Sequence, residues 1–193
     1  MDEGFENSNI QIHDKLILPV KSIRQSYSWD CGPTCLRMAI QYQFGLKLTA
    51  NDIIFLSGAT ENGTNEYNFI KALDILGFNY RQTDHGTFSM LKYVLHDGQI
   101  PIVHVMEKDG IGHYMSFCGY DEENQFVWLA DPAPSKARIV KYATSYFLGI
   151  WKIDEKETQT RWFLAITGYI DDKVDSSIRT LRRIQKKVKN SRK

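Results

Sequence analysis

The chain has 193 residues, 42% of them hydrophobic, with 24 Lys or Arg against 23 Asp or Glu, the composition of one ordinary globular domain rather than a disordered or collagen-like chain. No run of about 18 apolar residues occurs, and Met1 to Gln11 is acidic and polar, so neither a transmembrane segment nor a secretory signal is expected. Three cysteines are an odd number that excludes a disulfide framework, which points to an intracellular, cytoplasmic protein whose thiols stay reduced.

Residues 1–15 are expected to be a flexible N-terminus, and Leu16 to Val20 a short extended entry into the domain. From Gly32 the apolar residues Cys35, Leu36, Ala39 and Ile40 recur at helical spacing to about Phe44, with Asp30 placed to cap the start and Gly45 to stop the end. Thr49 opens a second helix to Gly58, Thr64 a third to Gly77, and Thr87 to His96 forms a fourth that ends at Gly98. Phe78 to Gln82 reads as a strand between the last two. The period then changes. Ile100 to Met106, Tyr114 to Tyr120, Gln125 to Ala130 and Trp162 to Tyr169 are rich in Val, Ile and aromatic residues and are separated by turn residues, the pattern of an antiparallel sheet. Tyr142 to Trp151 reads as a helix followed by a strand edge. Helices first and sheet second give an α+β domain over residues 16–170, with the helices packed against one side of the sheet.

Residues 171–193 stand apart. Positions 173–193 hold nine Lys or Arg against one Asp, a charge of +8, which leaves 15 basic and 22 acidic residues, or −7, over 1–172. Ile178, Leu181, Ile184 and Val188 recur at helical spacing after a Ser176 or Ser177 cap, so a basic amphipathic helix is expected. Its candidate contacts are the chain's own acidic body, an acidic partner, an anionic membrane surface or nucleic acid.

Cys31 lies at the start of the first helix, in Trp29-Asp30-Cys31-Gly32-Pro33-Thr34-Cys35. Free N–H groups and the positive end of the helix dipole favour a thiolate there, and a thiolate is a nucleophile. Gly32 leaves space beside the sulfur, and Pro33 suits a first turn that needs no donor. Cys35 falls in the apolar stripe one turn on and Cys118 in an alternating strand, both structural positions. Of five histidines, His13 and His85 fall in polar segments, His96 near a helix end and His104 inside an apolar strand. His113 instead follows Asp109-Gly110-Ile111-Gly112 and opens a strand, which suits a general base. Asp131 ends the next strand before Pro132, and a hairpin at Asp121 to Gln125 brings it toward His113, where a carboxylate fixes the imidazole tautomer. Gln25, ahead of Cys31, offers an amide donor to an oxyanion. Asn62-Gly63-Thr64 has the form of a glycosylation acceptor but reads as a polar turn.

Together, Gln25, Asp30-Cys31-Gly32-Pro33-Thr34-Cys35, Gly112-His113-Tyr114 and Asp131-Pro132 resemble the double-glycine, bacteriocin-processing peptidase family of papain-like cysteine proteases. Gln25 to Gly32, Gly119-Tyr120 and Asp131-Pro132-Ala133 also look like the related eukaryotic proteins labelled guanylyl cyclase domain-containing. The resemblance implies a papain-like fold and a stand-alone thiol peptidase with Cys31, His113, Asp131 and Gln25 as catalytic residues, no cofactor or metal, a peptide or protein substrate, and cleavage after small residues such as Gly-Gly. Four other readings stay open: a guanylyl cyclase, for which the sequence has no phosphate-cradling glycine loop; a zinc site built from Cys31, Cys35, His113 and Cys118; a non-catalytic peptide-binding module; and a transferase using the same thioester chemistry.

Overall fold

The computed structural model describes residues 13–107, 109–133, 135, 138–152 and 161–191. Its elements in chain order are β1 (Lys15–Ile17), α1 (Cys31–Phe44), α2 (Ala50–Ser57), α3 (Glu66–Leu76), β2 (Phe78–Thr83), α4 (Phe88–His96), β3 (Ile102–Met106), β4 (Gly112–Asp121), β5 (Phe126–Asp131), β6 (Arg138–Ala143), α5 (Thr144–Ile150), β7 (Phe163–Tyr169) and α6 (Asp171–Ser191). This is the expected α+β arrangement. One antiparallel sheet runs β2-β7-β3-β4-β5-β6, and β1 pairs with the far end of β4.

The helix boundaries follow local chemistry. The Thr49 side chain accepts from Asp52 N while Asp52 answers to Thr49 N, a capping box that starts α2. The third helix is opened by Asn65 with the same reciprocal device through Asn68, one residue later than the Thr64 start that the sequence suggests. Gly45, Gly58 and Gly77 end α1, α2 and α3 in the left-handed region that glycine enters without steric penalty.

Two other expectations are corrected. The Tyr142 to Trp151 stretch runs strand first and helix second, because β6 starts at Arg138 and pairs along the whole of β5 before α5 begins. Helices also cover both faces of the sheet. Tyr114 faces Phe69 of α3, whereas Phe117, of opposite parity on β4, faces Phe88 of α4 and Phe147 of α5. Every residue from His113 to Asp121 is accordingly buried, as in a strand covered on both sides.

One irregularity in the sheet matters for the site. The β4–β5 pairs run Asp121↔Phe126, Tyr120↔Val127 and Gly119↔Trp128, then resume as Phe117↔Leu129 and Ser116↔Ala130. Cys118 is therefore an extra residue, a β-bulge. One step further, Asp131 falls opposite Met115, which shares a face with His113. Without the bulge Asp131 would fall opposite Ser116, and the two side chains would lie on opposite faces of the sheet.

Of the expected flexible start, residues 13–15 are described. Lys15 pairs with Asp121 in β1, and His13 N donates to His96 Nε2. The rest of that expectation lies outside the described residues. The basic segment forms α6 from Asp171, ahead of the expected Ser176 or Ser177 cap, and it docks on the body. Val174 and Leu181 are buried and Ile178 packs on the core. Ser177 Oγ donates to the Ile75 carbonyl at 2.7 Å and Gln185 Nε2 to Asp52 Oδ1 at 2.9 Å. Ile184 is 41% exposed, and the Val188 side chain lies outside the described residues. Leu181→Ala is expected to lower the unfolding free energy by about 2–3 kcal/mol, and Ile184→Ala by no more than about 0.5 kcal/mol, both read from urea unfolding curves.

Candidate active site

Cys31, Gln25 and His113 meet on one cleft of about 650 Å3, whose walls also include Trp29, Thr64, His104 and Glu107. The cysteine is the first residue of α1. With Pro33 unable to donate, Cys31 and Gly32 carry the N–H groups of the first three residues of the helix. Gly32 has a packing reason beyond space at the sulfur. A β-carbon there would stand 2.8 Å from Phe69 Cζ and 3.2 Å from Thr64 Cβ, so the close approach of α3 requires glycine.

His113 is the second residue of β4. Its Nε2 is 2.9 Å from Asp131 Oδ1, and Cys31 lies close enough for its charge to bear on the ring. Since Nε2 is taken by the aspartate, the thiol is left to Nδ1. Burial by itself pushes the imidazole toward its neutral form, but the Asp131 hydrogen bond and the charges of Cys31 and Asp131 outweigh it and carry the pKa up to about 10. Asp131 is buried, and its Oδ1 also accepts from Ala133 N at 2.9 Å. The carboxylate is thus fixed by the turn that follows it.

Gln25 is 4% exposed. Its N–H donates to the Pro132 carbonyl at 2.8 Å, which ties it to the residue after Asp131. Its Nε2 gives one of two hydrogens to the Tyr27 carbonyl at 2.6 Å, leaving the other free to meet an oxygen in the cleft.

The remaining thiols lie elsewhere. Cys35 Sγ points at the Tyr114 carbonyl and Cys118 Sγ at the Trp128 carbonyl. Burial raises both, Cys35 well above the ordinary thiol value and Cys118 to about 12. The four-ligand zinc arrangement is not assembled, and among the described residues no three His, Cys, Asp or Glu side chains stand together as a metal would need.

Three features were not read from the sequence. His104 lines the cleft, stacks on Tyr114 at 4.4 Å between ring centroids, and is held neutral down to about pH 4 by burial and by His113. Its position follows from the β3–β4 pairing of His104 with Tyr114, which sequence spacing leaves open. Tyr27 and Trp29 stack 4.9 Å apart and nearly parallel, and Trp29 lines the cleft. Asp30 makes no side-chain cap to α1, contrary to the sequence expectation.

The sequence model of the peptidase C39 family matches residues 19–154 of this chain, the segment that carries all four site residues. The chain belongs to the peptidase C39 family. Members are cysteine peptidases, and the fold agrees. The peptidase domain of Streptococcus ComA, a bifunctional ABC transporter, is 24% identical with a TM-score of 0.56, covering 81% of this chain and 98% of that domain. A double-glycine-motif protease from an AMS/PCAT transporter, solved with a leader peptide, is 18% identical with a TM-score of 0.54, covering 79% and 97%. Among curated proteins, the lactococcin-G-processing and transport ATP-binding protein LagD of Lactococcus lactis is 29% identical over 121 residues, 61% of this chain but 16% of LagD. An uncharacterised protein of Methanothermobacter thermautotrophicus is 30% identical over 58% of this chain and 70% of its own. Among the described residues no helix is long and apolar enough to cross a membrane.

Iodoacetamide at neutral pH is expected to alkylate Cys31 more than about 100-fold faster than Cys35 or Cys118, whose thiolates are suppressed by burial. Peptide mapping by mass spectrometry reads the order, and equal labelling of the three thiols contradicts it.

Proposed function

We propose that residues 16–170 form a double-glycine-type peptidase in which Cys31 is the nucleophile, His113 the acid and base, Asp131 the group that orients His113, and Gln25 an oxyanion donor. The observation that carries the reading is the His113–Asp131 hydrogen bond at a cleft that Cys31, His113 and Gln25 line together. The thiolate attacks a peptide carbonyl carbon, and the oxyanion takes hydrogen bonds from Gln25 Nε2 and Cys31 N–H. The carbon–nitrogen bond then breaks as the His113 imidazolium gives its proton to the leaving amine. Water attacks the thioester with His113 as base and releases the acid.

Cleavage after small residues is the specificity that the double-glycine type of peptidase suggests for this chain. A double-glycine peptide is the substrate class that the AMS/PCAT neighbour shares by its own description. A reducing, intracellular setting keeps Cys31 a thiol. The exposed cations of α6, among them Arg179, Arg182, Arg183, Lys186 and Lys187, are available to an acidic partner, an anionic membrane surface or nucleic acid.

With peptides carrying a Gly-Gly site, Cys31→Ala and His113→Ala are expected to abolish cleavage, and Gln25→Ala to lower kcat by about 10² to 10³ with cleavage position unchanged. Turnover that survives Cys31→Ala removes the proposal.

The His113 proton supplies a second test. Its imidazolium form is favoured below the raised value and lost as pH climbs through about 10, so kcat/KM should fall above that pH. Asp131→Asn withdraws a charge and a hydrogen bond that both raise the value, and the alkaline limb should move to lower pH. An unmoved limb would assign the proton to another group.

A further inference from the structure

Asp30 is a fully buried carboxylate in the residue before Cys31. A negative charge so close to a thiolate opposes its formation, so thiol activation gives no reason for it. Helix capping gives none either, since the carboxylate makes no bond to the first turn of α1. Its oxygens turn back along the chain instead. Oδ1 accepts from Tyr27 N at 2.9 Å and Oδ2 from Ser26 N at 3.2 Å. Arg37 is near enough for its charge to feel Asp30 and Asp52, while its Nε donates to the Leu48 carbonyl at 2.9 Å.

Those two bonds fold residues 26–30 into a compact turn, and Tyr27 is its joint. The Tyr27 N–H is held by Asp30, and the Tyr27 carbonyl in turn holds the Gln25 amide at 2.6 Å. The far end of the same loop is pinned by Gln25 N on the Pro132 carbonyl. The side chain of Gln25 therefore has one protein partner among the described residues, a carbonyl whose position Asp30 sets.

We infer that Asp30 is a positioning residue for the oxyanion site: through Tyr27 it aims Gln25 Nε2 at the oxygen of the tetrahedral intermediate, leaving the nucleophilicity of Cys31 to His113. This rests on the peptidase reading for the role of Gln25. An oxyanion donor works only where it is already aimed, because reorienting it during the reaction forfeits its advantage.

The test uses Asp30→Asn in the full chain, an isostere whose amide N–H would oppose the Ser26 donor, with Asp30→Ser as a second variant should the first not fold. Acetyl-glycyl-glycinal, an aldehyde whose adduct with Cys31 places an oxygen in the oxyanion site, is the probe. Asp30→Asn is expected to weaken aldehyde binding by about 10-fold or more and to lower kcat on a Gly-Gly peptide by about 10²-fold with KM within about threefold. Iodoacetamide alkylation of Cys31, which forms no oxyanion, should not slow, since loss of the Asp30 charge can only favour the thiolate. The double variant with Gln25→Ala should bind the aldehyde no more weakly than Gln25→Ala alone, since the two residues act through one bond. Additive losses, or alkylation falling in step with kcat, overturn the inference. If the wild type cleaves no peptide yet forms the aldehyde adduct, the peptidase reading fails while the aldehyde affinities still decide the role of Asp30. A wild type that alkylates normally but forms no adduct has no oxyanion site to position, and the inference fails with it.

Discussion

The hydrogen bond between His113 Nε2 and Asp131 Oδ1 is the contact on which the rest of the site depends. It crosses two strands, and it exists because the extra residue Cys118 brings both side chains to one face of the sheet. From this bond follow the imidazole tautomer, the nitrogen left for Cys31 and the raised proton affinity of the ring. The turn after Asp131 then supplies the carbonyl that holds the main chain of Gln25. The segment around Asp131 thus fixes the His113 ring and the main chain of Gln25 together, while Cys31 and Asp30 meet at the start of α1.

Charge in the cleft is sorted by environment. His113 and His104 lie on neighbouring strands and both line the cleft, yet one is driven toward its cation and the other held neutral. The difference is the carboxylate: Asp131 reaches His113, whereas His104 has burial, an aromatic ring and the charge of His113 itself. Two like charges so close would be costly, and the pairing of a single histidine with the acid avoids that.

Much of the fold was legible because it is written in local signals. Capping residues and left-handed glycines bound the helices, and alternating apolar runs mark β3, β4, β5 and β7. The site was legible in its residue types: a cysteine at a helix start, a histidine at the head of a strand and an aspartate at the end of the next. What escaped depends on pairing between distant segments. The Cys118 bulge is invisible until β5 is laid against β4. The strand β6 begins in Arg138-Ile139, ahead of the apolar stretch from Tyr142, and its full extent is set by pairing along β5. Asp30 has the residue type and place of a helix cap, and the choice between capping forward and bonding backward is settled by a loop conformation that spacing does not specify. The start of α6 was placed late because Asp171 and Asp172, favourable at a helix N-terminus, carry no apolar periodicity.

The bulge also limits how this chain can vary in length. A residue added or lost in the turn at Glu122 to Gln125 changes the loop and leaves the ladder alone. A single residue added or lost between His113 and Cys118, or between Phe126 and Asp131, exchanges inside for outside along the rest of the strand and separates Asp131 from His113. Within those strands a frame of two governs, so length changes compatible with an intact His113–Asp131 pair come in even steps or as a second compensating bulge.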